Sequence, residues 1–323
     1  MVTLSTLTNI NTLIIASIII GILFPKIADF LFPLLYYQTV ILFFISLIES
    51  KDNAYKKPKK KDTETSIQKT IIISSVKLLI LPIIIPYLVY AAIETTEFTP
   101  FAIAMGIALK FSTGSTSSMP TIARNLDGNE RKADIYTIAS NLFCIFTILI
   151  VLLVTSHQAI QISKIKAISY FIAQIMIPPI VIASICQHLI PYTIKKYKHY
   201  LSPISKVILV SLFIAACKGL DKEISQKPLQ SLTIITISAC TYVILTILGW
   251  HIERSNNKKE KITSCLYLGT PGNIAILFAH TWFPLNTTII ACTVISGTLY
   301  PIVTMTCKQL SNIFARTKSN INH

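Results

Sequence analysis

Charge is what this sequence has least of. Only 13% of its 323 residues are Asp, Glu, Lys or Arg, against about 25% in soluble domains, while 52% are hydrophobic and the mean hydropathy is +0.63. No polar stretch is long enough to form a separate soluble domain. Glycine is scarce, with nine in the chain, so each marks a place where backbone needs room or freedom. The seven cysteines are scattered singly with no C-x-x-C pair, which excludes the usual zinc and dithiol spacings; they read as small apolar packing residues. No H-E-x-x-H and no G-x-x-x-x-G-K-[ST] occurs, so neither a zinc hydrolase nor an ATP-driven pump is indicated. No cofactor or bound metal is expected. No Lys or Arg precedes the first apolar run, and no small-residue cleavage site follows Ile18–Phe24. That run is expected to be a permanent helix rather than a leader.

What is present is a series of apolar runs about 20 residues long, the length that crosses a ~30 Å hydrocarbon core. They predict an all-α membrane protein of about ten transmembrane helices. The spans are expected near Leu4–Phe24, Leu31–Ile48, Thr70–Ile93, Phe101–Ile122, Asp134–Thr155, Ile168–Ile190, Ile204–Ala216, Leu229–Trp250, Thr263–Phe283 and Thr287–Met305. The net charge of +15 does not indicate nucleic acid, because the cations sit in short loops between spans. Twenty of the 29 Lys and Arg fall in alternate loops and the C-terminal segment. Six (Lys26, Lys164, Lys166, Lys218, Lys222 and Lys227) fall in the opposite loops, and Lys77, Lys110 and Lys206 lie inside spans. This asymmetry predicts both termini in the cytoplasm of an inner (cell) membrane protein. Lys56, Lys57, Lys59, Lys60 and Lys61 cluster in the loop after span 2, as a topology signal or a contact for anionic lipid.

Two spans are interrupted. Span 4 carries Ser112-Thr113-Gly114-Ser115-Thr116-Ser117-Ser118-Met119-Pro120, and span 9 carries Gly269-Thr270-Pro271-Gly272-Asn273. Irregular backbone survives in hydrocarbon only where it faces protein or a watery cavity. The two spans are the fourth members of successive five-span sets, about 4–155 and about 168–305. Gly/Pro-interrupted spans at matching places in two halves point to inverted repeats with a midplane binding site. Small residues also line tight helix contacts, so packing alone remains an alternative. The whole chain, 1–323, is expected to form one transporter unit. Candidate substrate-binding residues are Thr113, Ser115, Thr116, Ser118, Lys110, Thr270 and Asn273. Lys110, deep and just before the break in span 4, is a functional candidate by default; it suits an anionic solute or an ion pair with a carboxylate, and Asp134 is one candidate partner, though its place near the start of span 5 reads first as interfacial. Thr137, Ser140 and Asn141 share one face of span 5. His280, late in span 9, reads first as a structural hydrogen-bonder and second as a proton relay.

Several motifs in order resemble those of the bile acid:sodium symporter family, from about residue 10 to 305. Gly21-Ile22-Leu23-Phe24-Pro25 is similar to its G-x-L-F-P turn, and Gly114–Ser118 to its G-G-T-A-S-N segment. Asn125-Leu126-Asp127-Gly128 is similar to the L-A-x-G-D that follows, with the order changed. Gln174-Ile175-Met176-Ile177-Pro178 and Gly249-Trp250-His251-Ile252-Glu253-Arg254 resemble the family's apolar-Pro and G-Y-x-x-A-R signatures. The resemblance implies a panel domain of spans 1, 2, 6 and 7, a core domain of spans 3–5 and 8–10, crossing of spans 4 and 9, and elevator or rocking motion. It also implies departures. Lys77 stands where the family has Gln, Tyr267 where it has the sodium-binding Glu, Met119 at its Asn, and Pro271 at or beside a further Gln. Lys77, Tyr267, Thr137 and Ser140 are therefore expected at an ion-coupling or ion-replacing site. The function implied is sodium-independent secondary transport of a small organic anion. An arsenite or auxin-type carrier and a membrane-embedded enzyme are the alternatives. The break in span 4 lacks the Cys that arsenite carriers place there, and no membrane-depth carboxylate pair supports an enzyme.

Overall fold

A computed structural model describes residues 10–50, 70–93, 100–115, 119–156, 162–253 and 257–321. The described residues are all-helical. The chain opens with α1 (Ile10–Leu23), α2 (Pro25–Leu31), a 3-10 turn (Phe32–Leu34) and α3 (Leu35–Ser50). Helix α4 (Thr70–Ile93) follows. Next come α5 (Pro100–Ser112), α6 (Met119–Asn125), α7 (Glu130–Ser156), α8 (Ile162–Leu189) and α9 (Pro191–Ala216). The rest is α10 (Leu220–Gln226), α11 (Pro228–Ile252), α12 (Lys258–Gly269), α13 (Ile274–Trp282), α14 (Thr287–Thr298) and α15 (Pro301–Ile321). The lysine cluster at 56–61 lies outside the described residues, as do Thr116 and Ser118.

Eight helical stretches are long and apolar enough to cross a membrane, and two shorter apolar helices, Thr12–Leu23 and Pro100–Ser112, accompany them. The difference from ten has a local cause at span 4, where the α5 helix stops at Ser112 as the backbone turns irregular. At span 1 the described residues begin only at Ile10. Span 7 is longer than hydropathy suggests: α9 starts at Pro191, because the lysines near its start interrupt the apolar run without interrupting the helix. Proline enters at the first helical position of α2, α9 and α11, where its missing N–H costs nothing.

Burial sorts these helices by environment. In α11, 33% of the most apolar window is buried, and in α4 39%; in the stretch Lys258–Trp282 it is 94%. Ile72, Leu79, Ile83 and Leu88 of α4 are exposed, as residues facing lipid must be. The α12–α13 stretch instead runs through the protein interior, the one membrane environment that tolerates a departure from helix.

Proline also shapes α4. Pro82 has no N–H to give the carbonyl of Leu78, four residues back. That carbonyl accepts a hydrogen bond from Thr147 Oγ1 on α7 at 3.3 Å instead. Residues Val76–Ile80 widen into a π-helical turn, with the Leu81 N–H bonded back to Val76 O. Such turns re-aim side chains and recur at functional sites; Lys77 lies inside this one.

At the other end of the molecule, Gly219 takes φ 76° at the start of α10, a left-handed conformation that costs glycine little. The turn delivers Glu223 to the N-terminus of α14. Its two oxygens accept from Thr287 Oγ1 at 2.6 Å and Thr288 Oγ1 at 2.8 Å, and Lys227 Nζ lies 3.2 Å away. A carboxylate is favoured at a helix N-terminus. Burial pushes this carboxyl up, but the Thr287, Thr288 and Lys227 contacts outweigh it and hold it below the ordinary carboxylate range. The native state therefore holds this proton less readily than the unfolded chain, so its stabilisation is complete above the unfolded pKa of ~4.3 and is lost as pH falls through the lower native value. Glu223→Gln is expected to lower stability by ~1 kcal/mol at neutral pH. The gap between the two melting curves should close on acidification, as read by thermal unfolding in detergent from pH 7 to 3.

Candidate functional site

The helical ends of α5 and α12 meet in the interior. Both stop at an irregular stretch, Thr113 onward in one and Thr270–Asn273 in the other. A helix C-terminus leaves carbonyls without intrahelical donors, and each finds one nearby. Gly272 N donates to Lys110 O at 3.0 Å, and Lys110 Nζ donates to Gly272 O at 3.0 Å. The two segments are thus tied by a reciprocal pair at Lys110 and Gly272. Close approach requires the absence of a side chain. A Cβ on Gly272 would overlap the Thr113 hydroxyl and the Gly114 carbonyl, and one on Gly114 would lie 2.9 Å from Asn141 Cα.

Lys77 reaches this meeting point from α4. Its Nζ donates to Tyr267 O at 2.6 Å, Thr270 O at 2.7 Å and Ser115 Oγ at 3.0 Å. All three donors of the ammonium are used. The side chain is wholly buried and forms no ion pair among the described residues. The C-terminal end of α12 carries partial negative charge, so carbonyl dipoles take the place of a counter-ion. The Tyr267 ring adds its face, with its centroid 4.9 Å from Nζ.

Helix α7 supplies the third wall. Ser140 Oγ accepts from Ser115 N at 2.9 Å, and Asn141 Nδ2 donates to Ser115 O at 3.1 Å and to Thr137 O at 2.8 Å. Thr137 Oγ1 turns to Met119 Sδ at 3.7 Å. Thr113 and Thr270 are buried, with hydroxyls spent on Leu109 O at 2.7 Å and on Leu266 O. Ser115 and Asn273 open onto a narrow cleft whose enclosed space is about 20 Å³, lined also by Asn141, Ile274, Thr39, Leu42, Phe43, Ile175 and Leu212. That space is about what one water needs, well short of the roughly 300–1,000 Å³ of ligand sites. Asn273 also lines a second cleft with Gly297 and Tyr300.

Of the residues singled out in the sequence, Lys77, Ser115, Tyr267, Thr270, Ser140 and Thr137 form one connected cluster. Lys110, Thr113 and Asn273 border it. Lys110 is wholly buried and makes no ion pair among the described residues, so Asp134 is not its partner. His280 stands apart, its Nε2 3.2 Å from Ala216 O and its ring edge-on to Phe32 at 5.0 Å, a structural role. Tyr267 contributes its carbonyl and ring face rather than its hydroxyl. Thr39, Leu42 and Phe43 were not legible beforehand; the one sequence signal was the polar pair Gln38-Thr39 inside the apolar second span.

A chain of membrane-spanning helices around a buried polar site fed by a cleft defines a membrane transporter. The chain belongs to the SBF-like CPA transporter family, whose model matches residues 9–316, a family related to the bile acid:sodium symporters. No curated protein matches the chain.

The geometry generates a contrast between two glycines. Gly114→Ala drives a methyl into the backbone of α7, and such overpacking costs ~1–3 kcal/mol. Gly297→Ala meets only the far end of Lys110, at 3.0 Å from Nζ, which shifts at less cost. Thermal unfolding in detergent should show a clear loss for the first and a smaller one for the second.

Proposed function

We propose that this protein is a secondary transporter that moves a small organic anion without sodium, with the Lys77 ammonium standing where related carriers hold the ion. The observation that carries the reading is the position of Lys77 Nζ among two carbonyls and a hydroxyl. Oxygen donors of this kind suit a sodium ion as well as an ammonium. A sodium here would lack the anionic ligand, because Tyr267 occupies the position of the family carboxylate. A fixed cation with three donors fills the place and satisfies the carbonyls at once.

Internal symmetry supports the two-repeat arrangement. Helix α12 ends 157 residues after α5 (Ser112 to Gly269), and α14 starts 157 residues after α7 (Glu130 to Thr287). Both later helices are capped alike. Asn129 Oδ1 accepts from Lys132 N, and Asn286 Oδ1 accepts from Ile289 N, each at 3.1 Å. Two helix pairs of the same register, each broken and each followed by an Asn-capped helix, fit inverted halves with a shared midplane site. In this reading α5–α6 and α12–α13 form the crossing, and the core of spans 3–5 and 8–10 moves against the panel of spans 1, 2, 6 and 7. Both termini lie in the cytoplasm, as the loop charges indicate.

An anionic substrate follows from the charges. Lys77 and Lys110 are both wholly buried and unpaired with carboxylates among the described residues, leaving the region electropositive. The N-terminus of α13, at Asn273 and Ile274, faces the cleft with its positive dipole end. Ser115, Thr116 and Ser118 of the broken fourth span are the polar partners assigned to the solute.

A solute that binds the folded protein raises its melting temperature, so small organic acids can be ranked by that shift and the best taken into proteoliposomes. Uptake is expected at equal rates in sodium and choline, and Lys110→Gln is expected to weaken it at least several-fold. Lys77→Gln combined with Tyr267→Glu should create saturable sodium dependence. A rate in the unmutated protein that rises saturably with sodium overturns the reading.

A further inference from the structure

The corner between α8 and α9 is apolar where a turn facing water would be polar. Helix α8 ends at Leu189 and α9 begins at Pro191. Leu189 is 70% exposed and Tyr192 81% exposed, and Ile190 between them is exposed as well. Apolar side chains gathered at an outer turn mark a surface that something covers. The corner is held in place, since Gln187 Nε2 donates to Leu47 O at 2.9 Å near the end of α3.

Cations follow at once. Lys195, Lys196 and Lys198 lie within the first eight residues of α9. The chain has no Asp or Glu from Ile135 to Leu220, so neither α8 nor α9 supplies a carboxylate to pair with them. Lys196 is exposed, with its Nζ 5.4 Å from the Tyr197 ring centroid, and the Tyr197 and Tyr200 centroids lie 6.3 Å apart. Tyr192, Lys196 and Tyr200 recur at every fourth residue and so share one helix face, and all three are exposed. The same side of α9 continues into the exposed apolar residues Ile204 and Val207.

Helix length sets the depth of this face. Helix α9 has 26 residues, or ~39 Å at 1.5 Å per residue, against ~30 Å of hydrocarbon. The surplus of about six residues falls at the N-terminal end, because that end carries the lysines while the other is apolar down to Ala216. Pro191–Lys196 therefore lies in the headgroup layer, where tyrosine is enriched and where a lysine stem can carry its ammonium outward to phosphate.

We propose that the α8–α9 corner is a binding site for an anionic phospholipid. The lipid phosphate meets Lys196 together with Lys195 and Lys198. The acyl chains run along Tyr200, Ile204 and Val207, and the Leu189–Tyr192 corner covers the headgroup. A topology signal needs charge alone; tyrosines in register with the lysine and an apolar cover above it are what a bound lipid needs. A lysine near an anionic surface is worth about 5-fold in binding, so three supply on the order of 100-fold.

The full chain is purified in detergent and labelled with a photoactivatable phosphatidylglycerol, and the labelled peptides are mapped by mass spectrometry. Label is expected between Leu189 and Val207. Unlabelled phosphatidylglycerol should displace it at a concentration at least about 10-fold lower than phosphatidylcholine with the same acyl chains. Lys195→Gln, Lys196→Gln and Lys198→Gln together should lower the label there by at least about 10-fold, whereas Lys→Arg at the same three positions should keep it. Equal displacement by the two lipids, or label confined to other segments, overturns the proposal. Displacement by soluble glycerol 3-phosphate as effective as by the lipid also overturns it, in favour of a site for a free phosphate ester. Displacement is read on the unmutated protein, so a variant that folds poorly leaves the test intact. None of these outcomes bears on the transport reading, which stands on α4, α5 and α12.

Discussion

The site depends on where a buried ammonium finds its negative charge. Lys77 lies in the membrane interior with no carboxylate paired to it among the described residues, and an isolated charge there is very costly. The cost is met by carbonyl dipoles that exist only because α12 stops being a helix at Gly269. Tyr267 O is free to accept because Pro271, four residues on, has no N–H, and Thr270 O because the helix has ended at Gly269 and restarts only at Ile274. The ammonium and the break thus stabilise each other: without Lys77 the carbonyls lose their donor, and without the break the ammonium loses its acceptors. Pro82 completes the arrangement from the other side, since the π-helical turn beside it is where Lys77 sits.

The same dependence governs how the rest is packed. Broken backbone is tolerable only away from lipid, so the α12–α13 stretch is enclosed while α4 and α11 carry the exposed apolar faces. Enclosure requires near contact between backbones, and glycines at 114 and 272 permit it. Ion pairs lie at the ends of the core, where Glu223 with Lys227 and Glu253 with Lys132 and Glu260 tie separate segments together. Between these ends lies a core held by neutral hydrogen bonds and two lysines. That combination leaves positive potential at a cleft lined by polar residues on one wall and apolar residues on the other.

Much of this was legible in the sequence, for physical reasons that differ by feature. Apolar runs give the spans because hydrocarbon thickness fixes their length, and Gly, Pro and Ser inside such runs give the breaks. Span 7 was placed short because Lys195, Lys196 and Lys198 lower hydropathy without breaking α9. Lys77 and Tyr267 drew attention through their places in a family-like pattern, and the contact between them uses the Tyr267 carbonyl. The Lys132 network was not legible: its partners lie 121 and 128 residues away in the chain, and no local spacing announces them. The cleft wall at Thr39, Leu42 and Phe43 was hidden for the same reason, since ordinary apolar residues acquire meaning only from what they face. Asp134, read first as interfacial, makes no ion pair with Lys110.

The central claim is that the Lys77 ammonium fills the place of an ion and holds the broken helix. It is tested most directly by melting purified Lys77→Met and the unmutated protein in sodium chloride and in choline chloride. The account predicts one melting temperature for the unmutated protein in both salts. It predicts a marked drop for Lys77→Met, because two buried carbonyls are left without donors at ~1–3 kcal/mol each. A saturable rise with sodium in the unmutated protein, or a Lys77→Met variant that melts where the unmutated protein does, would contradict it.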